Sequence, residues 1–366
     1  MKHTSLLSAM MLAALSLTST AAQAQEDQAP KNTEKPTPES VVAAAADSEW
    51  LAIDPADLLV MQLAPDMAGQ DRTVVIQLMP APFSQPWTEN IRKLAAAHWW
   101  DGTSIYRVVD NWVAQWGGGD PELDMDPGPM PDGVASPTSD YTLTEADDGF
   151  TDLARGFLET ARERARASAI NHRADERDRE KAEAGEKKPL LTVRANVPPM
   201  VLLQDDPYAE GASFHQGWPI GLGKGAMWPV HCYASVGVAR DLVPDTGTGS
   251  ELYAVIGHAP RQLDRNIAVV GRVIDGIEHL STLKRGTGAA GVYETREEDT
   301  PITSARMGDS LPEGRRPHFE YLDTSSKSFA QYAHIRANLE DSFYQIPAGG
   351  VDICNLPVPI REAGAE

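Results

Sequence analysis

The sequence predicts an all-β domain closed on itself, and three observations carry that expectation. Short runs with strand character recur from Leu58 to Met307, bounded by Gly, Pro, Asn and Asp. Only two core segments, around Trp87–His98 and Asp275–Lys284, read as helices, apart from a charged insertion. Many short strands with so few helices leave unpaired edges unless the sheet closes.

Taken in order, Leu58–Ala64 and Thr73–Met79 alternate like strands across a polar segment containing Gly69, which reads as a hairpin. Phe83-Ser84-Gln85-Pro86 opens a helix, with Ser84 or Gln85 near the cap and Pro86 in the first turn. Ile91, Leu94, Ala95 and His98 share one face of it. Further strands are predicted at Ser104–Val109, Trp112–Trp116, Tyr233–Ala239, Glu251–Ile256, Ile267–Val273 and Ile302–Met307. The domain so delimited covers residues 47–310.

An insertion at about 121–200 interrupts it. Pro121–Asp140 is rich in Pro, Asp, Gly and Met. The charged run that follows predicts a long solvated helix at about 150–186. Leu153, Phe157 and Leu158 give the start of that helix an apolar contact stripe. Either it lies on the domain surface or it serves as an arm for client chains. Residues 311–366 form an extension in which Phe329, Tyr332, Ile335, Leu339 and Phe343 recur at near-helical spacing, predicting a helix packed on the core or a protein contact.

The N-terminus predicts export. Lys2 and His3, an apolar run Leu6–Leu17 and Ala22-Gln23-Ala24 make a signal peptide over residues 1–24, cleaved after Ala24. That run falls short of the roughly 20 apolar residues a membrane-spanning helix needs. Residues 25–46, rich in Pro, Ala, Glu, Lys and Thr, read as a flexible leader. A net charge of −21, or −22 without Lys2, argues against nucleic acid as a partner. The expected location is the periplasm. There, the two cysteines, Cys232 and Cys354, either bridge the C-terminal tail to the core or remain two buried thiols that never meet. The nine histidines show no metal-ligand spacing, and Glu122, Asp124 and Asp126 lack that of a calcium loop. No metal or other cofactor is expected.

The run DGTSIYRVVDNWVAQWGGGD, Asp101–Asp120, holds the densest functional signal. Arg107 stands in an apolar, β-branched strand, where a cation is costly unless something uses it. Trp112 and Gln115 follow, then glycines that allow close backbone approach. The pattern resembles the cyclophilin signature F-H-R-[VI]-[IV]-x-x-F-[MV]-x-Q-G-G-D, with Tyr106 at the histidine position and Trp112 at the second phenylalanine. Downstream, VGVARD, DTGTGSELYAVI and LDRNIAVVGRV resemble three further cyclophilin segments. The resemblance spans about Thr73–Asp120 and Val201–Leu283. It implies an eight-stranded closed antiparallel barrel capped by two helices, here with a helical insertion and a helical C-terminal extension.

It also implies a peptidyl-prolyl cis-trans isomerase. Arg107 matches the catalytic arginine and Gln115 the glutamine that orients it. Trp112, Val113, Tyr253 and Leu263 match the walls of the proline pocket, and Ala239 and Arg240 the backbone ledge for the substrate chain. Such a reaction needs no nucleophile. His231 and His258 have no nucleophile partner at a recognisable spacing and read as structural. Departures from the family include Glu251 at a pocket glutamine position, Ile267 for a rim histidine and Gln262 where some members carry tryptophan. Glu251 either pairs with Arg107, affecting activity, or points to solvent. The implied partners are unfolded or exported polypeptides with X–Pro bonds. A cyclophilin-fold binding or chaperone module with little turnover is the rival reading. A hydrolase lacks its G-x-S-x-G element.

Overall fold

The computed structural model describes residues 35–118, 125, 128–138, 141–185, 203 and 206–364. The elements in chain order are α1 (Pro38–Ala43), β1 (Trp50–Ile53), β2 (Leu58–Leu63), β3 (Arg72–Leu78), α2 (Gln85–Ala96), β4 (Ser104–Val108) and β5 (Val113–Gly117). After these come β6 (Leu143–Thr144), α3 (Phe150–Glu183), β7 (Gly211–His215), β8 (Trp218–Gly223), β9 (Ala226–Pro229), β10 (Ser235–Val238) and β11 (Leu252–Val255). The chain ends with β12 (Val269–Asp275), α4 (Glu278–Ser281), β13 (Thr300–Met307), β14 (Phe319–Leu322), α5 (Lys327–Ala337) and β15 (Ile360–Glu362).

Alternation along each strand decides what faces inward. Leu59, Met61 and Leu63 of β2 and Val74, Ile76 and Leu78 of β3 point to one interior, because successive side chains in a strand take opposite faces. They meet Val236 and Val238, Leu252 and Ala254, Val270, Ile302 and Ala305 there. Eight antiparallel strands close around this core in the order β10-β11-β5-β4-β13-β2-β3-β12, as the resemblance implies. Trp87, Ile91 and Leu94 of α2 and Leu280 of α4 join the same core, each almost fully buried. Every such side chain contributes about 1.5–3 kcal/mol. The interior is packed side chain.

The outer wall is covered unevenly. Leu58 and Val75 face outward from β2 and β3 and pack under Ile53, Phe319 and Tyr321 of a second sheet, β1-β14-β15. Two of its strands lie in the extension, which therefore adds a sheet as well as the expected helix. The helix α5 stops at Ala337, and Phe343, expected on its apolar face, is exposed. Asn338, which favours helix ends, donates from its side chain to the His334 carbonyl at that end.

Four further expectations need correction. The leader expected through Ala46 ends early: Thr37 and Ser40 form a capping box that opens α1, and Val41 and Ala45 pack with Phe329 and Tyr332. The insertion is not only helical, since β6, β7, β8 and β9 form a separate sheet of order β6-β9-β8-β7. The barrel resumes at Ser235 and not near Val201, because Phe150, Trp218, Ile220 and Met227 make a core of their own with Met79 and Phe83. The second helix shrinks to α4, since Asp275 still belongs to β12 and Gly276, at φ 78°, breaks the chain direction. Of the predicted stripe on α3, Leu153 and Phe157 touch this insertion core, while the Leu158 side chain and Glu122, Asp124 and Asp126 lie outside the described residues. Among the described residues no helix is long and apolar enough to cross a membrane.

Cys232, just before β10, is disulfide-bonded to Cys354 in the tail, across 122 residues. The bond pins the extension beside the barrel. A Cys354→Ser variant is expected to lose about 2–5 kcal/mol of unfolding free energy. Denaturant titration of wild type and variant measures it, and equal midpoints under non-reducing conditions would refute the role.

Candidate active site

One transverse row of residues organises the exposed wall of the barrel. Arg107 on β4 pairs in register with Gln115 on β5, Gln115 with Tyr253 on β11, and Tyr253 with Gly237 on β10. Side chains directly opposite on one face of neighbouring antiparallel strands stand within contact of one another.

Arg107 reaches that wall through a bulge. Ile105 and Val108 both point into the core, three residues apart, and the β4–β5 register shifts between Ile105 and Arg107. The extra residue turns Tyr106 as well as Arg107 toward the outer face, which is what a β-bulge does. The Arg107 guanidinium is then fixed from two sides. Its Nη1–H donates to Gln115 Oε1 at 2.8 Å, and its Nε–H donates to the Ala290 carbonyl at 2.8 Å. Its Cζ lies 5.3 Å from the centroid of the Trp112 ring. No partner is seen for Nη2 among the described residues. Burial pushes the Arg107 guanidinium below its ordinary value, though arginine stays charged in proteins.

The second half of the Gln115 amide continues the chain of bonds. Its Nε2–H donates to the Tyr106 hydroxyl at 2.6 Å, and that hydroxyl donates to Glu251 Oε2 at 2.9 Å. Glu251 is thus linked to Arg107 through Tyr106 and Gln115. Burial, together with the Glu251 carboxylate, holds the Tyr106 phenol far above its ordinary range, so it remains a neutral donor. Gly117 makes room for the carboxylate: a Cβ there would lie 2.3 Å from Glu251 Oε1.

Beside Arg107 lies an apolar cluster of Val113, Tyr253 and Val255 with Val109, Trp112, Ala239, Leu263 and Ile267. This brings together Trp112, Val113, Ala239, Tyr253 and Leu263 of the sequence-derived set. Gly237 lets the Tyr253 ring lie flat across β10, since a Cβ there would come within 2.3 Å of the ring. The two residues of the expected ledge are held by internal hydrogen bonds. The Ala239 N–H donates to the Glu251 carbonyl at 3.0 Å, and the Arg240 guanidinium is tied to the Asn266 and Asp241 carbonyls.

Behind the cluster the Tyr253 hydroxyl meets His231 Nε2 at 3.1 Å, and His231 Nδ1 meets Asp264 Oδ1 at 3.0 Å. His258 is exposed, its N–H donating to Asn111 Oδ1. Sequence reasoning gave no role to Tyr106, Gly237, Asp264 or Ala290. Tyr106 and Asp264 lie inside the quoted motifs and could have been singled out as polar groups needing partners. Gly237 and Ala290 carry no such signal.

The geometry offers a held cation beside an apolar cluster. Across residues 70–307 the sequence matches the family model for cyclophilin type peptidyl-prolyl cis-trans isomerase/CLD. No curated protein matches the chain. Among solved structures, the crystal structure of cyclophilin AquaCyp293 from Hirschia baltica is similar at TM-score 0.53 and 20% identity, covering 89% of this chain and 97% of that one. That of a Cryptosporidium parvum cyclophilin type peptidyl-prolyl cis-trans isomerase in the presence of dipeptide ala-pro is matched at TM-score 0.31 and 9% identity, over 68% and 98% of the two chains. The Hirschia structure supports the fold, and the family match spans well over half the sequence. The chain belongs to the cyclophilin-type peptidyl-prolyl cis-trans isomerase family.

Proposed function

We propose that Arg107 is the hydrogen-bond donor that accelerates rotation about X–Pro bonds in this enzyme, and that its substrates are exported polypeptides. The observation that carries the mechanism is the two-sided fixing of Arg107 beside the apolar cluster. Amide resonance sets a barrier of about 18–20 kcal/mol to rotation. As the bond twists, resonance is lost and a lone pair localises on the proline nitrogen. A guanidinium N–H aimed at that lone pair stabilises the twisted state more than either planar one. Because Gln115 and Ala290 hold the group in place beforehand, little reorganisation is needed at the barrier. Gln115 is neutral, so it orients the guanidinium without offsetting its charge. The apolar walls hold the pyrrolidine ring while the preceding residue turns.

The exported setting is supported by the signal-like N-terminus and by a disulfide, which suits an oxidising compartment. X–Pro isomerisation takes tens to hundreds of seconds unaided, slow enough to limit folding there. A binding or chaperone role with little turnover has one observation in its favour, the Glu251 carboxylate tied through Tyr106 to the residue that orients Arg107. Aggregation suppression that survives Arg107→Ala, beside negligible isomerisation, would favour it.

A protease-coupled proline-peptide assay tests the donor. Arg107→Ala is expected to lower kcat/KM by about 10²–10³-fold, the usual cost of one preorganised donor. Equal rates in wild type and variant would sink the assignment. The pH profile is expected to be flat from about pH 6 to 9, because both groups keep their protons across that window: a raised phenol stays neutral, and a buried arginine still titrates far above it. A rate inflection there that disappears in Tyr106→Phe would contradict the proposed hydrogen-bond chain.

A further inference from the structure

The Tyr253 hydroxyl has no task in walling an apolar ring, yet it is buried, and a buried hydroxyl must find a partner. It finds His231 Nε2 at 3.1 Å, on a histidine with no solvent exposure. Asp264 Oδ1 accepts from both the His231 backbone N–H, at 2.9 Å, and its ring Nδ1, at 3.0 Å. A carboxylate on Nδ1 assigns the ring proton there and leaves Nε2 to accept from Tyr253. Asp264 Oδ2 in turn takes the Arg261 Nε–H at 2.6 Å, and Arg261 Nη1–H donates to Asp206 Oδ2 at 2.9 Å. The side chains of Arg261, Asp264 and Asp206 are each 3% exposed. The Tyr208 ring covers the guanidinium, 4.9 Å from its Cζ.

Asp206 and Tyr208 belong to the segment between β5 and β10, which is the insertion, whereas Arg261 opens the short turn Arg261–Leu263 whose last residue is a pocket wall. We propose that Asp206, Arg261, Asp264 and His231 form a buried relay through which the insertion positions Tyr253, and so sets how tightly the pocket grips a proline ring. Ion pairs this deep hold their geometry strictly, because removing one partner leaves a charge without compensation. His231 and Asp206 touch no substrate; they are positioning residues. The insertion is then part of the binding machinery and not only an appendage on the surface.

This role rests on Tyr253 walling the proline site, so binding is measured apart from turnover. The full chain is titrated with the tetrapeptide Ala-Ala-Pro-Phe by calorimetry, and KM and kcat are taken from the coupled assay. Asp206→Asn is expected to raise Kd and KM about three- to tenfold, the worth of one hydrogen bond, with kcat within about twofold of wild type. Tyr253→Phe, which keeps the ring, is expected to raise Kd by a similar factor. The double variant is expected to bind no more weakly than the worse single one. Unchanged Kd in Tyr253→Phe overturns the relay, and that variant decides alone if Asp206→Asn does not fold. Factors that multiply in the double variant overturn it too. Wild-type protein that binds no proline peptide overturns both the relay and the pocket. An Arg107→Ala variant as fast as wild type, beside weakened binding in Asp206→Asn, removes only the donor assignment.

Discussion

The filled interior of the closed barrel forces all chemistry onto its outside. Met61, Val74, Ile105, Val108, Ala114 and Ala254 occupy the centre with essentially no exposure, so no ligand enters there. Closure also removes sheet edges, leaving the outward faces of the strands and the loops beside them to bind. One part of that outer surface, over β2 and β3, is sealed by the β1-β14-β15 sheet. The opposite part, over β4, β5, β11 and β10, carries the row Arg107, Gln115, Tyr253 and Gly237. Extension, insertion and site thus share the barrel wall, the insertion core resting on Met79 and Val269.

Within the row, small deviations from regular sheet do the positioning. A bulge turns two consecutive residues of β4 outward, which a regular strand forbids, and so puts Tyr106 and Arg107 on the same network. Two glycines matter for what they lack. Gly237 accepts the Tyr253 ring, and Gly117 accepts the Glu251 carboxylate. The loop carrying Ala290 pairs along the other edge of β4, through Arg107 and Val292, and supplies the carbonyl that fixes Nε. Because both Nε and Nη1 are engaged, the guanidinium has little rotational freedom.

The barrel and its arginine could be read from the sequence because both leave strong signals there. Alternation through Leu58–Leu63 and Arg72–Leu78 follows the pleat, and a cation among β-branched residues at Arg107 marks a polar task. The insertion sheet was hidden for a physical reason. Gly211–Pro229 holds five glycines and two prolines, weak strand formers, and its pairing comes from tertiary contacts of Trp218, Ile220 and Met227 with Phe83 and Phe150. Likewise α1 lies in a stretch whose composition reads as linker, and only burial of Val41 and Ala45 against α5 makes it ordered structure. At the site, Glu251 was visible as a departure, but its route to Arg107 through Tyr106 depends on a bulge that no local pattern announces.

The proposed catalysis rests on the fixed fork of Arg107 and not on positive charge alone. NMR exchange spectroscopy of a proline peptide tests it most directly, comparing wild type with Arg107→Lys, which keeps the charge and loses the fork. Cis–trans exchange peaks are expected with catalytic amounts of wild type, and none above the uncatalysed background with the lysine variant. Equal exchange in the two proteins would contradict it.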